Sequence, residues 1–366
     1  MDFSRFFTDI IFVILSKISL KVLCRWKCVS KQFKELLEGL DFAKEHSTHS
    51  EEQFLVAYNV FPDYCSPEIS LYTKDFHFSS SHTFPARSLK CLYSISPSCE
   101  GIVCMEEFWP GQKSPYSIIL WNPSIKEHRL RSTPLQTFSR FDLGFCTSVS
   151  GHNLVRISFD PKEGFYNAEF YHPRTDTWTV KSNVFACNFV REFHRYYVVY
   201  WYQRLHWLVL EDCPKLLCKI VTCDMENQSF SLNEVPQLGS FTSDVFSNLM
   251  LSSSANKLIF FYAGRGFGYL YTKDHIGAQW SVQKTIELSA GPLSSVVLGR
   301  VPSFRAPILA TDDGKIVIKS FLGGQGVVLM TIEPVEAVTI STIVYRVAEV
   351  SRILKHKESF VKLDYL

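Results

Sequence analysis

Apolar positions near the start of the chain recur at helical spacing. Ile11, Ile14, Leu15 and Ile18 follow the i, i+3, i+4, i+7 pattern of one helical face. Thr8 or Asp9 can cap that helix, and Ser19 offers a break and a new cap. Val22, Leu23, Trp26 and Val29 form the next periodic set. Ser30 can then cap a third helix carrying Phe33, Leu36 and Leu37. Gly39 suits a left-handed C-terminal stop, and Asp41 can open a last turn, "DFAKEHS". Residues 1–46 therefore predict a small all-α module of three to four short helices. About ten large apolar side chains cannot offset the ordering of about 40 residues. The module's apolar surface needs a partner or the following domain.

Beyond residue 50 the helical period fades. Residues 47–60 read as a linker leading into a first strand, and 61–366 as an all-β domain. Short runs rich in Ile, Val, Phe, Tyr and Trp alternate with turn residues, and one strand–turn–strand unit recurs. Tyr72, Asn122, Pro173, Asp224, Lys273 and Glu333 stand at equivalent places in it, at intervals of 50, 51, 51, 49 and 60 residues. The longest interval contains an extra strand candidate, "KIVIKS". A period near fifty residues in a β-rich chain predicts propeller blades, about six of them. A stacked β-sandwich fits the regular spacing less well. Trp121, Trp178, Trp207 and Trp280 are expected to pack between blades. The fold class is α+β multidomain: an all-α module, then a propeller-like domain.

Composition narrows the function. Formal net charge is +2 from 38 basic and 36 acidic residues, so no global field draws in nucleic acid. Abundant aromatics, 30 Phe, 16 Tyr and 7 Trp, suit cross-strand pairs. Eleven cysteines at irregular spacings contain no C-x-x-C, which predicts reduced thiols in a cytoplasmic or nuclear protein, with no metal site. The apolar run Ile10 to Leu15 is too short to span a membrane, and it lacks the basic region of a signal peptide. The five basic residues of "KVLCRWKCVSKQFKELLEG" read as the solvated face of a docking helix, with Val22, Trp26, Val29 and Phe33 as its apolar stripe.

Candidate chemistry is sparse. His206 lies in the apolar run "LHWLV" and reads as a structural histidine. "HSTH" (His46 to His49) reads as a solvated linker without further ligands nearby. The stretches "GRGFG" and "LGGQG" lack the strand–helix context of a phosphate loop. No catalytic residues and no cofactor are expected.

The stretch "TDIIFVILSKISLKVLCRWKCVSKQFKELLEGLDFAKEH" resembles the F-box of plant F-box proteins. Asp9, Ile14-Leu15-Ser16, Lys21, Leu23, Arg25 and Cys28-Val29-Ser30-Lys31 stand where that pattern wants them. The resemblance implies that Phe6, Phe7, Ile10, Ile14, Leu15, Leu20, Leu23, Val29 and Phe33 serve the docking of a Skp-type adaptor. The rest of the chain is similar to the F-box-associated, kelch-like domain. "SPSCEGIVCM…IILWNPSIKEHRL", "FDLGFCTSVSGHNLVRISF", "YHPRTDTWTV", "QRLHWLVL" and the closing "HKESFVKL" carry that likeness. It implies a non-catalytic target-recruiting subunit of an SCF-type E3 ubiquitin ligase. Such a subunit links through the adaptor to a cullin–RING ligase and binds a protein target for ubiquitination and degradation. It has no nucleic-acid or membrane partner. The pattern is as similar to the pollen S-locus group as to other members. Two departures bear on docking: Phe6-Phe7 replaces the opening Leu-Pro, and Ser19 replaces the second proline. Proline presets φ at a helix entry. The alternative is therefore a propeller interaction scaffold, outside the ubiquitin pathway, with a degenerate F-box.

Overall fold

The computed structural model describes residues 3–363 apart from 61–66, 74–76, 83–91, 97, 109–116, 133–139, 149–150, 161–164, 173–174, 186–189, 212–216, 237–248, 255, 265–266, 288–304, 312–314, 322–326, 333–342 and 346–347.

Four helices come first: α1 (Phe3–Ser16), α2 (Leu20–Trp26), α3 (Lys31–Leu37) and α4 (Leu40–His49). Helix α1 begins at or before Phe3, so Thr8 and Asp9 lie inside it rather than at its cap. With Phe7 where the related pattern has proline, nothing removes the backbone hydrogen bond that carries the helix through. Ser19 precedes α2 as expected, but its side chain caps nothing. Ser30 is a true N-cap of α3: its Oγ accepts from the Phe33 amide at 3.1 Å. Gly39 is not a left-handed stop. It is extended (φ −70°, ψ 141°) and opens α4, while Glu38 closes α3 in right-handed geometry. Helix α4 then runs on to His49, past the expected boundary at residue 46.

The remainder forms six four-stranded antiparallel sheets. Blade 1 combines β24 (Ala348–Lys357) with β1 (Glu52–Val60), β2 (Pro67–Thr73) and β3 (Phe78–His82), in that order. Blade 2 holds β4 (Leu92–Ile95), β5 (Val103–Phe108), β6 (Ser117–Asn122) and β7 (Glu127–Ser132). Blade 3 holds β8 (Arg140–Ser148), β9 (Gly151–Asp160), β10 (Phe165–His172) and β11 (Thr177–Phe185). Blade 4 holds β12 (Val190–Trp201), β13 (Arg204–Glu211), β14 (Leu217–Asp224) and β15 (Ser229–Glu234). Blade 5 holds β16 (Leu249–Ser254), β17 (Lys257–Gly264), β18 (Phe267–Lys273) and β19 (Ser281–Glu287). Blade 6 holds β20 (Arg305–Ala310), β21 (Ile316–Phe321), β22 (Val327–Ile332) and β23 (Ile343–Tyr345).

The fifty-residue repeat maps onto this order. Tyr72, Asn122, Asp224 and Lys273 each stand at or next to the end of a third strand. Pro173 and Glu333 directly follow β10 and β22, and themselves lie outside the described residues. "KIVIKS" is not an extra strand: it is β21, the regular second strand of blade 6. The long last interval comes from longer connections, such as 274–280 between β18 and β19.

Neighbouring blades share apolar cores. Leu55 and Leu71 of blade 1 meet Val103 and Ile119 of blade 2. Val155 and Ile157 of blade 3 meet Trp207 and Val221 of blade 4. One core joins blades 4, 5 and 6 through Leu208, Phe260 and Ile316. The first strands β8, β12, β16, β20 and β24 adjoin in turn and line the axis. The ring closes because β24 pairs with β1 over Glu52↔Lys357 to Val60↔Ala348. Trp121 and Trp207 are buried between blades, and Trp178 and Trp280 pack at the edges of such cores. This is a β-propeller with an N-terminal helical module.

The helices are seated on blades 2 and 3. Leu15, Leu20, Leu23, Leu37 and Phe42 share one buried cluster with Ile102, Leu120, Phe145 and Tyr171, and with Phe360, Val361 and Leu363 of the C-terminal tail. The apolar surface that the helices cannot bury alone is covered in this way.

Candidate functional site

The sequence-predicted docking residues divide into two sets. Leu15, Leu20 and Leu23 are buried, Leu23 completely, so they build the seat on the propeller and present nothing to a partner. Phe33 is half-buried and stands edge-on to Trp26, ring centroids 6.2 Å apart. Ile10, Ile14 and Val29 are exposed, at 42, 56 and 70 %. Ile11 and Val13 share that exposure but were not among the docking residues expected from sequence; their positions beside Ile10 and Ile14 on one amphipathic helix were the available signal. Of the apolar stripe, Trp26 and Val29 are open, and Val22 and Phe33 are partly covered. Phe6 and Phe7 lie in α1, but their side chains fall outside what the structure describes.

A seam holds this module in place. The tail that follows β24 passes between the helices and blade 2. Asn122 Nδ2 donates to the carbonyls of Ser359 (3.0 Å) and Val361 (2.9 Å). Phe360 packs against Phe42 and His46, with ring centroids 5.9 and 5.2 Å away. Lys27 Nζ lies 4.8 Å from the same ring. Lys362 donates to Glu38 at 2.8 Å, and that hydrogen bond leads in holding the Glu38 carboxyl below the usual carboxylate range. His46 is not part of a solvated linker: it is buried in α4, and its Nε2 donates to the Ile18 carbonyl at 3.0 Å. Burial lowers its pKa.

Gly101 lies in the same seam. Its φ is +79°, and an added Cβ would come within 2.3 Å of Ser359 Cβ and 2.8 Å of the Lys357 carbonyl oxygen. Only glycine meets both demands. His356, fully buried, has Nδ1 3.0 Å from Ser98 Oγ, and burial pushes its pKa down to about 3. Thus "SCEG", "WNPS" and "HKESFVKL", far apart in sequence, meet at one place.

The second feature is an axial funnel of about 770 Å3, open beside α4. Its wall takes Glu52, Lys355 and Lys357 from blade 1, and Ser98 and Glu100 from the β4–β5 connection of blade 2. Tyr200 and Trp201 come from the end of β12 and Tyr202 from the turn after it, Ser253 and Ser254 from the end of β16, Asn256 from the turn before β17, and Ser47 and Thr48 from α4. Lys355 Nζ pairs with Glu52 at 3.2 Å and donates across the axis to the Ser253 carbonyl at 2.9 Å. Trp201 Nε1 donates to the Asn256 carbonyl at 2.7 Å, which ties blade 4 to blade 5. Tyr202 and Gln203 both have positive φ, as a two-residue hairpin turn of this hand requires. That turn leaves the Tyr202 ring half open to solvent at the mouth. Sequence reading missed this site; the one local signal present is "YWYQ", consecutive aromatics running into a hairpin turn.

One more histidine and four thiols lie buried in the blades. His206 is buried, with Nδ1 2.9 Å from Thr222 Oγ1 and Nε2 donating to the Trp201 carbonyl at 3.3 Å. Burial pushes its pKa down to about 4. Burial likewise raises the thiols of Cys104, Cys146 and Cys218, and pushes Cys223 up to about 12. No cluster of three or more His, Cys, Asp or Glu suits a metal ion among the described residues. No described helix is long and apolar enough to cross a membrane.

No protein-family model matches the chain. No curated protein matches it. Among solved structures it is similar to the Aleuria aurantia lectin, described as a six-bladed β-propeller with a fucose-recognition mode, at 8% identity over 82% of this chain and 97% of that one, TM-score 0.48. It is also similar to AofleA from Arthrobotrys oligospora, at 10% identity over 84% of this chain and 92% of that one, TM-score 0.46. The blade order given above rests on the strand pairing of this chain itself.

Proposed function

We propose that this chain is a non-catalytic recruiting subunit of an SCF-type ubiquitin ligase. In this reading the helical module docks on a Skp-type adaptor and the propeller holds a protein target. The observation that carries it is the outward face of α1. Ile10, Ile11, Val13 and Ile14 stay 42 to 56 % exposed while Leu15, Leu20, Leu23, Leu37 and Phe42 are spent on the propeller seat. A row of large aliphatic side chains left in water on a surface helix marks a protein contact. It falls within the stretch from Phe6 to Phe33 that resembles an F-box. Trp26 and Val29 extend the open apolar surface onto α2 and the turn after it.

The test is co-purification of the full chain with a Skp-type adaptor. Wild type should retain the adaptor, and the double variant Ile14→Glu, Val29→Glu should lose it without a change in thermal midpoint. Failure of the folded wild type to bind at high micromolar adaptor favours the scaffold with a degenerate F-box.

A further inference from the structure

We propose that the axial funnel is a binding site for a neutral saccharide of one to a few rings. Its volume, about 770 Å3, is in the range of small-ligand sites. The wall chemistry selects the ligand. Among the described lining residues there is no Ala, Val, Leu, Ile, Met or Phe side chain. A peptide anchored by a leucine or phenylalanine, or an acyl chain, would find no aliphatic subsite there. An anion is disfavoured too: Glu52 and Glu100 stand against Lys355 and Lys357, and Lys355 is already paired with Glu52 at 3.2 Å. What remains is an aromatic and hydroxyl surface without net charge.

That combination matches a sugar ring. One face of a pyranose is C–H, which packs on an aromatic ring, and its edge carries hydroxyls that need donors and acceptors together. Tyr202 offers an open ring at the mouth, steadied by Trp201 at 4.8 Å between centroids. Tyr200 lines the same wall. Ser98, Ser253 and Asn256 supply hydroxyl and amide groups across the opening, and Lys357 an ammonium donor. The turns that carry these groups are fixed by Trp201 Nε1 to Asn256 O and by Lys355 Nζ to Ser253 O, so the site is formed before anything enters.

The site is independent of the adaptor reading, and its test uses the full chain without adaptor. The probe is an array of neutral and acidic oligosaccharides of one to four rings, with a set of polar peptides beside them. The best binder is then titrated by calorimetry. Neutral glycans should bind. Tyr202→Asn, which keeps a residue tolerant of positive φ but deletes the ring, should weaken binding at least tenfold. Lys357→Gln should weaken it about threefold, and Ile14→Glu, Val29→Glu should leave it unchanged. The proposal is overturned if the folded chain retains no neutral glycan. It is equally overturned if acidic glycans or peptides bind in preference, or if both funnel variants bind as wild type does.

Discussion

The side-chain amide of Asn122 donates to the backbone carbonyl of Ser359 at 3.0 Å, across 237 residues of sequence. The same nitrogen donates to the Val361 carbonyl at 2.9 Å. One buried amide thereby satisfies two carbonyls of a tail that has left its sheet and has no strand partner for them. Its Oδ1 accepts from the Ser124 amide at 3.0 Å, so the amide's orientation is fixed by its own turn.

Replacing Asn122 by alanine leaves both carbonyls buried without that donor, a cost of about 2–4 kcal/mol. Urea unfolding of the full chain should show the loss. Asn122→Asp should cost at least as much, because a carboxylate sets acceptor against acceptor. A variant with an unchanged midpoint would mean that the tail finds other donors.

Two glycines of positive φ separate strain from collision. Gly101→Ala adds a methyl 2.3 Å from Ser359 Cβ on a backbone at φ +79°. Gly277→Ala meets nothing within 4 Å at φ +87°. The second should cost about 1 kcal/mol through backbone conformation alone. The first should exceed it severalfold and raise hydrogen exchange in α2 to α4, which rest on the displaced tail. Equal costs would refute the close packing of the tail on Gly101.

Burial also divides the module. Leu23→Ala removes a fully buried side chain and should destabilise by about 2–5 kcal/mol. Val29→Ala acts on a residue 70 % exposed and should stay within about 0.5 kcal/mol. Denaturant midpoints for the pair check the seating of the helices directly.

Acid should unfold the propeller through its buried histidines. Burial holds His206 at about 4 and His356 at about 3, both below the value near 6.5 of an unfolded chain. The unfolded state then binds more protons at mildly acidic pH. The stability these residues contribute is complete above about pH 6.5 and falls as pH drops toward 4 and then 3. Midpoints between pH 7.5 and 4 should decline, and His206→Gln should flatten that slope. Parallel slopes for variant and wild type would show that His206 is not held neutral.

The sequence made the propeller legible because each anchor residue sits where a third strand ends and a turn must follow. That constraint is local and repeats near every fifty residues. Ser30 was legible for the same reason: a cap acts within three residues. Gly39 misled because glycine tolerates both left-handed and extended backbone, and only the packing of α4 decides between them. Leu15, Leu20 and Leu23 could not be told apart from Ile10 and Ile14 by periodicity. Both groups are apolar on short helices, and which face meets the propeller depends on a tail more than 300 residues downstream. The funnel was illegible for a similar reason, since its wall gathers turns from several blades and an end of α4.

The pairing of β24 with β1 has a consequence for how the protein is made. The innermost strand of blade 1, β24 (Ala348–Lys357), leaves the ribosome long after its partner β1 (Glu52–Val60), with the other five blades made in between. At about 5–20 residues per second, the body of the chain between them occupies roughly 15–60 s of synthesis. Throughout that interval β1 has an unpaired edge, and the helices lack the tail that seats them. A chain that stops short of β24 has an open ring and loose helices together, so a single break there exposes apolar surface at both places.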